Sequence, residues 1–130
     1  MSDTPAQDPL AATEITPWLR AEGAAALLVA LLLYAQFGGG WLPFALLFLV
    51  PDLSMLGYLA GPKVGARLYN VVHSYVGALL LGGAALLMDH PRLLSLSLIW
   101  VAHIGADRAL GYGLKYRSAF QDTHLGRIGR

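Results

Sequence analysis

Cysteine is missing altogether from these 130 residues, which excludes disulfides, thiolate metal ligands and thiol nucleophiles. Charge is nearly as scarce: Asp, Glu, Lys and Arg make up 13% of the chain, against about 25% in typical soluble domains. The formal net charge of +1 is too small to argue for nucleic acid as a partner. No cleavable signal peptide is expected at this end, because no basic stretch followed by an apolar run precedes Thr16. Residues 1–16 carry Asp3, Pro5, Asp8 and Glu14, which predicts a short disordered polar leader.

What fills the rest is hydrocarbon. Hydrophobic residues reach 56% and the mean hydropathy is +0.55. They fall into four segments, expected from about Pro17 to Gln36, Trp41 to Gly61, Ala66 to Met88 and Arg92 to Gly113. Each is close to the roughly 20 residues that cross a hydrocarbon core. A soluble helix shows a polar face, and Ala24 to Leu33 contains no polar residue. The prediction is an all-α, four-helix transmembrane bundle over residues 17–113, with an amphiphilic tail over 114–130.

Local signals divide the segments. Pro17 suits a first helical turn with Thr16 as its cap, and Gly38-Gly39-Gly40 forms a short loop. Pro51 should kink the second helix, and Gly57 with Gly61 permits close helix contact. Gly61-Pro62-Lys63 ends that element, and Asp89-His90-Pro91 makes the next turn, with His90 solvated. In the third segment Asn70, His73, Ser74 and Gly77 fall on one helical face. With four spans, Arg20, Lys63, Arg67, Lys115, Arg117, Arg127 and Arg130 share a side, and Arg92 stands alone on the other. The positive-inside rule then places both termini in the cytoplasm.

In that orientation the ionisable groups collect in the inner half of the bundle. Glu22 lies in the first turns of helix one and Asp52 past the middle of helix two, near Ser54. Asn70, His73 and Ser74 open helix three, while His103, Asp107 and Arg108 close helix four. At 1.5 Å rise per residue the band is about 10–15 Å thick. Ionisable residues at membrane depth are costly and normally face a bundle interior or a cavity.

Three readings of the band stand side by side. The first is a metal site built from His73, His103, Asp107 and Asp52, with Glu22 as a further ligand or base. Imidazole and carboxylate donors suit zinc, iron or manganese, and His103 and Asp107 are spaced i,i+4 on one helix face. The second is metal-free acid–base chemistry, in which a His–Asp pair orients a tautomer or His73 polarises Ser54 or Ser74. The third is a packing lock, with Asp52 or Asp107 paired to Arg108 and His103 bonded to a carbonyl freed by Pro51. The tail's Asp122 and His124 either fold beneath the band as a lid or lie with the basic residues at lipid headgroups.

Four stretches carry a resemblance: Pro51-Asp-Leu-Ser-Met-Leu-Gly-Tyr, Tyr69-Asn-Val-Val-His-Ser-Tyr, His103-Ile-Gly-Ala-Asp-Arg-Ala-Leu-Gly-Tyr-Gly-Leu-Lys-Tyr and Asp122-Thr-His-Leu-Gly. Through them the chain from about Leu19 to Gly129 resembles the domain-of-unknown-function 4260 family, small bacterial integral membrane proteins. The resemblance implies a four-helix protein of the bacterial cytoplasmic (inner) membrane and brings no activity. A fainter likeness is to membrane metal-dependent hydrolases of the YdjM type, whose Pro-Asp, His-Ser and His-x-x-x-Asp elements would correspond to Asp52, to His73 with Ser74, and to His103 with Asp107. Ser54 stands where a second acidic residue is usual there, and the early glycine-flanked histidine is absent, leaving Glu22 to substitute.

The sequence therefore leads to a membrane-embedded, metal-dependent hydrolase acting on a lipid or amphiphile at the inner leaflet. His73, His103 and Asp107 serve as ligands, and Asp52 as fourth ligand or base. Glu22 assists catalysis, and Asn70, Ser74 and Arg108 orient substrate. The alternative is a non-enzymatic accessory subunit or small-molecule binder. Membrane lipids and a homo-oligomer or larger membrane complex are the expected partners.

Overall fold

The computed structural model describes residues 9–114, with side chains from Glu14 onward, and the backbone of 122–123 and 126–127. Helix α1 spans Pro9–Phe37, α2 Trp41–Leu47, a 3₁₀ helix Val50–Ala60, α3 Pro62–His73, α4 Tyr75–Leu87 and α5 Pro91–Leu110. The pairs β1 (Asp122–Thr123) and β2 (Gly126–Arg127) form a two-residue antiparallel ladder in the tail. Among the described residues, four helical stretches are long and apolar enough to cross a membrane: Glu14–Phe37, Trp41–Ala60, Pro62–Leu87 and Pro91–Leu110.

The distribution of polarity is inverted relative to a soluble protein. Leu87 and Leu59 are 90% and 89% exposed, whereas His103 is 1% exposed. Apolar side chains outside and polar ones at the centre suit a lipid solvent, in which only polar groups need shelter from the surroundings. Helix α5 is the most buried of the four spans and packs on both α1 and α4, while α3 packs on the 3₁₀ helix.

Several boundaries differ from the sequence expectation. Helix α1 begins at Pro9, so Pro17 lies inside it rather than in its first turn, and the helix takes in residues expected in the polar leader. Helix α3 begins at Pro62 rather than near Ala66, because Gly61 turns the chain in one residue at φ 111° and Pro62 is preset for a first turn. Helix α5 stops at Leu110, where Gly111 adopts the left-handed conformation and Tyr112 N–H returns to Asp107 O at 2.7 Å. His90, exposed as expected, also caps α5 by accepting the Leu93 N–H. Side chains from Lys115 onward lie outside the described residues, which includes Asp122, His124 and the tail's basic residues.

Both middle spans are broken. Pro51 does interrupt the second, but the consequence is an eleven-residue 3₁₀ helix rather than a simple kink. Three residues per turn put Leu53, Leu56 and Leu59 on one exposed stripe and turn Ser54 and Gly57 inward. Gly57 meets Gly65 of α3, while Gly61 serves as the turn. The third span breaks at Ser74, which is extended at φ −89° and ψ 153°. The single polar face expected across Asn70, His73, Ser74 and Gly77 is therefore split between α3 and α4.

The α1–α5 contact is the tightest in the bundle. A Cβ at Gly105 would lie 2.7 Å from both Gly23 O and Leu27 N, so the α1 backbone packs directly on α5 where Gly105 lacks a side chain. We expect Gly105→Val to destabilise the protein by about 1–3 kcal/mol through overpacking. Gly83→Ala in α4 is the control: no atom lies within 4 Å of its added Cβ. That variant should be neutral or gain up to about 1 kcal/mol in helix propensity, read by thermal unfolding in detergent.

Candidate metal centre

The broken spans create the site, and backbone hydrogen bonding explains how. Asp52 N–H bonds Leu49 O at 3.0 Å in the 3₁₀ pattern, where an α-helix would have bonded Phe48 O. Phe48 O instead accepts from Nδ1 of His103 at 2.6 Å. The break at Ser74 likewise strips the last carbonyls of α3 of their partners one turn ahead. Trp100 Nε1 donates to Val72 O at 2.6 Å, and an Arg108 guanidinium nitrogen donates to His73 O at 3.0 Å. That cation sits at a helix C-terminus, where the macrodipole favours it.

His73 is held in the same way as His103. Its Nδ1 donates to Tyr69 O at 3.0 Å, and its ring stacks on the Tyr69 ring at 3.7 Å between centroids. Ser54 Oγ, which donates to Pro51 O at 2.8 Å, lies 3.5 Å from the same Nδ1. Carbonyl oxygens only accept, so each Nδ1 carries the proton, and in the neutral ring each Nε2 is left as a bare lone pair. The two Nε2 atoms face one another at 3.1 Å. Two lone pairs at that distance repel and two N–H groups would collide, so the pair needs one positive charge between the rings: a single proton on one Nε2, paired with Asp52 and Asp107, or a metal ion.

Two carboxylates complete the group. Asp52 Oδ1 is 3.3 Å from His73 Nε2 and 3.2 Å from His103 Nε2. Asp107 Oδ2 is 3.5 Å and 3.2 Å from the same two atoms. One ligand atom from each of the four residues lies within 4.8 Å of all the others. Four ligands arranged tetrahedrally at about 2.0–2.1 Å from an ion are about 3.3–3.4 Å apart. The five separations that involve an imidazole, 3.1–3.5 Å, are close to that, while the two carboxylates are within 4.8 Å of each other. The imidazole side chains are 3% and 2% exposed, the Asp52 and Asp107 side chains 35% and 20%, so the site opens on its carboxylate side.

The other residues singled out by sequence fall around this group. Glu22 lines a separate cleft between α1 and α4 with Tyr75. The reason is angular: the α1-facing Gly105 lies about 200° around α5 from His103. Ser74 is the link between α3 and α4, and Arg108 stands over the Tyr75 ring at 5.7 Å besides bonding His73 O. Asn70 sits one turn before Ser74 and accepts the Ser74 N–H on its carbonyl at 2.9 Å. Trp100 had not been singled out, although an indole inside a helix needs an acceptor for its N–H.

A family model described as a domain of unknown function, DUF4260, matches residues 16–128. The chain belongs to the DUF4260 family. That span contains every residue of the four-membered site. No curated protein and no solved structure matches the chain, and the YdjM-type likeness has no counterpart in these comparisons.

Trp100 gives a direct test of the broken-helix argument. Trp100→Phe leaves Val72 O without its donor in a water-poor setting, and we expect a loss of about 1–3 kcal/mol in thermal unfolding. The ligand separations should survive, so elemental analysis of this variant should give the same metal content as the wild type.

Proposed function

We propose that this protein is a membrane-embedded, divalent-metal-dependent hydrolase acting on an ester or phosphoester of an amphiphile. The observation that carries the reading is the His73–His103 pair, whose Nε2 lone pairs converge at 3.1 Å while both Nδ1 atoms are committed to carbonyls. Charge supports it as well. Two carboxylates and one divalent ion sum to zero, which reduces the cost of placing them together at low dielectric. A bound divalent cation would make water more acidic, to a pKa of about 7 in the case of zinc, and would polarise the scissile oxygen.

The chain's own residues divide the remaining work. His73, His103 and Asp107 hold the ion, with the Phe48 and Tyr69 carbonyls fixing the imidazole tautomers. Asp52, the most exposed of the four, is the fourth ligand or the base that accepts a proton from water. The water oxygen joins the acyl or phosphoryl group, and the proton leaves with the departing alcohol. Arg20 Nε donates to Ala109 O at 2.9 Å, which sets the start of the first span level with the end of the last. With the basic residues Arg20, Lys63 and Arg67 this favours both termini on the cytoplasmic side of a bacterial inner membrane and the site at the inner leaflet.

A second reading, a packing lock in an accessory subunit, is favoured by one observation. His103 Nδ1 ties α5 to the second span through Phe48 O, a link that needs no ion. Elemental analysis after mild extraction without chelator separates the two. The hydrolase reading expects about one equivalent of zinc, manganese or iron per chain, lost in His103→Ala and reduced roughly tenfold or more in Asp107→Asn. No metal in the wild type, with these variants only lowering the unfolding temperature, would establish the lock instead.

A further inference from the structure

Beside the site runs a groove of about 480 Å³ between the 3₁₀ helix, α3, α4 and α5. Its floor is Leu96, Ile99 and Trp100 of α5. These lie on the same helical face as His103 and Asp107, one and two turns before His103. Its other end reaches Pro51, Leu53 and Ser54, which flank Asp52 in sequence. None of the four ligand residues lines the groove; it comes beside the site at Ser54, whose Oγ lies 3.5 Å from His73 Nδ1.

We propose that this groove binds a single acyl chain of the amphiphile, with the head at its Ser54 end, beside His73, and the tail along Leu96, Ile99 and Trp100 of α5. The assignment rests on the hydrolase reading above and adds to it the class of substrate and the way it is held. Chemistry argues for a hydrocarbon occupant. The lining is apolar apart from Ser54, whose hydroxyl is spent on Pro51 O, and Trp100, whose N–H is spent on Val72 O. A polar occupant would find no partner here and would lose its hydration. Size argues for a thin occupant. One turn of an α-helix with its side chains fills about 400 Å³, so the groove holds hardly more than a turn of a second copy's helix. An extended chain a few ångströms across can lie along Leu96, Ile99 and Trp100 on the α5 side of the groove.

Photolabelling tests this on the full-length protein in phosphatidylcholine vesicles, using a long-chain fatty acid with a mid-chain diazirine as the probe. The expected result is label on Val72, Leu96 and Ile99 that excess unlabelled fatty acid competes away. Leu96→Trp and Leu53→Trp, which narrow the groove from partly exposed positions, should each reduce the competed label about tenfold. Their metal content should stay at the wild-type value, because neither residue is one of the four candidate ligands. Label spread over exposed lipid-facing leucines such as Leu59 and Leu87, without competition, would overturn the proposal in favour of ordinary surrounding lipid. Label on the groove that depends on protein concentration and is displaced by dimerisation would overturn it in favour of a second copy. Competed groove label on a protein that carries no metal would keep the acyl-chain site and remove the hydrolase; metal without competed label would do the reverse.

Discussion

Everything around the centre depends on backbone carbonyls that cannot be left bare. A helix interrupted inside a membrane exposes oxygen atoms to a solvent that offers no donor. Here both middle spans are interrupted, at the 3₁₀ helix and at Ser74, and donors from one helix, α5, close the gaps. His103 reaches Phe48 O, Trp100 reaches Val72 O and Arg108 reaches His73 O, at 2.6, 2.6 and 3.0 Å. The same bonds that satisfy the backbone also aim the imidazoles. A carbonyl on Nδ1 leaves Nε2 as the only face a ring can offer, and both rings offer it to the same point.

The arrangement explains why α5 is at once the most polar-bearing and the most buried of the four spans. Its α1 face is stripped to Gly105 so that the backbones touch, which brings the helix deep into the bundle. Its opposite face carries Trp100, His103 and Asp107 against the broken spans. Glu22, on α1, is at a similar level yet belongs to the first face and not the second. Depth in the bilayer and membership of the site are separate properties, and only three-dimensional packing distinguishes them.

That distinction marks what could be read from the sequence. The four spans, the interruption at Pro51, the turn glycines and the family were legible because each depends on local composition over a few residues. So were Asp52, His73, His103 and Asp107 as the residues that meet, since ionisable groups in apolar segments have few places to go. Residues whose role depends on helix rotation were not legible: Glu22 was grouped with the site, and Trp100 was passed over. The break at Ser74 lacked a proline to announce it. Its one local sign is a serine just before an apolar run, a common way for a helix to begin.

The 3₁₀ winding of Val50–Ala60 had a plainer signature, and it has the larger consequence. Leucines recur every third residue at 53, 56 and 59, and all three are exposed. In an α-helix each step of three residues falls about 60° short of a full turn. Leu59 would then stand about 120° around from Leu53, against α3 instead of lipid, and Ser54 and Gly57 would no longer face α3 together. Three residues per turn keeps the leucines outward and the small residues inward. It also moves the Asp52 N–H from Phe48 O to Leu49 O, which makes Phe48 O available to His103. The pattern that solves the problem of facing lipid is therefore the same one that frees the carbonyl on which the His103 imidazole is mounted.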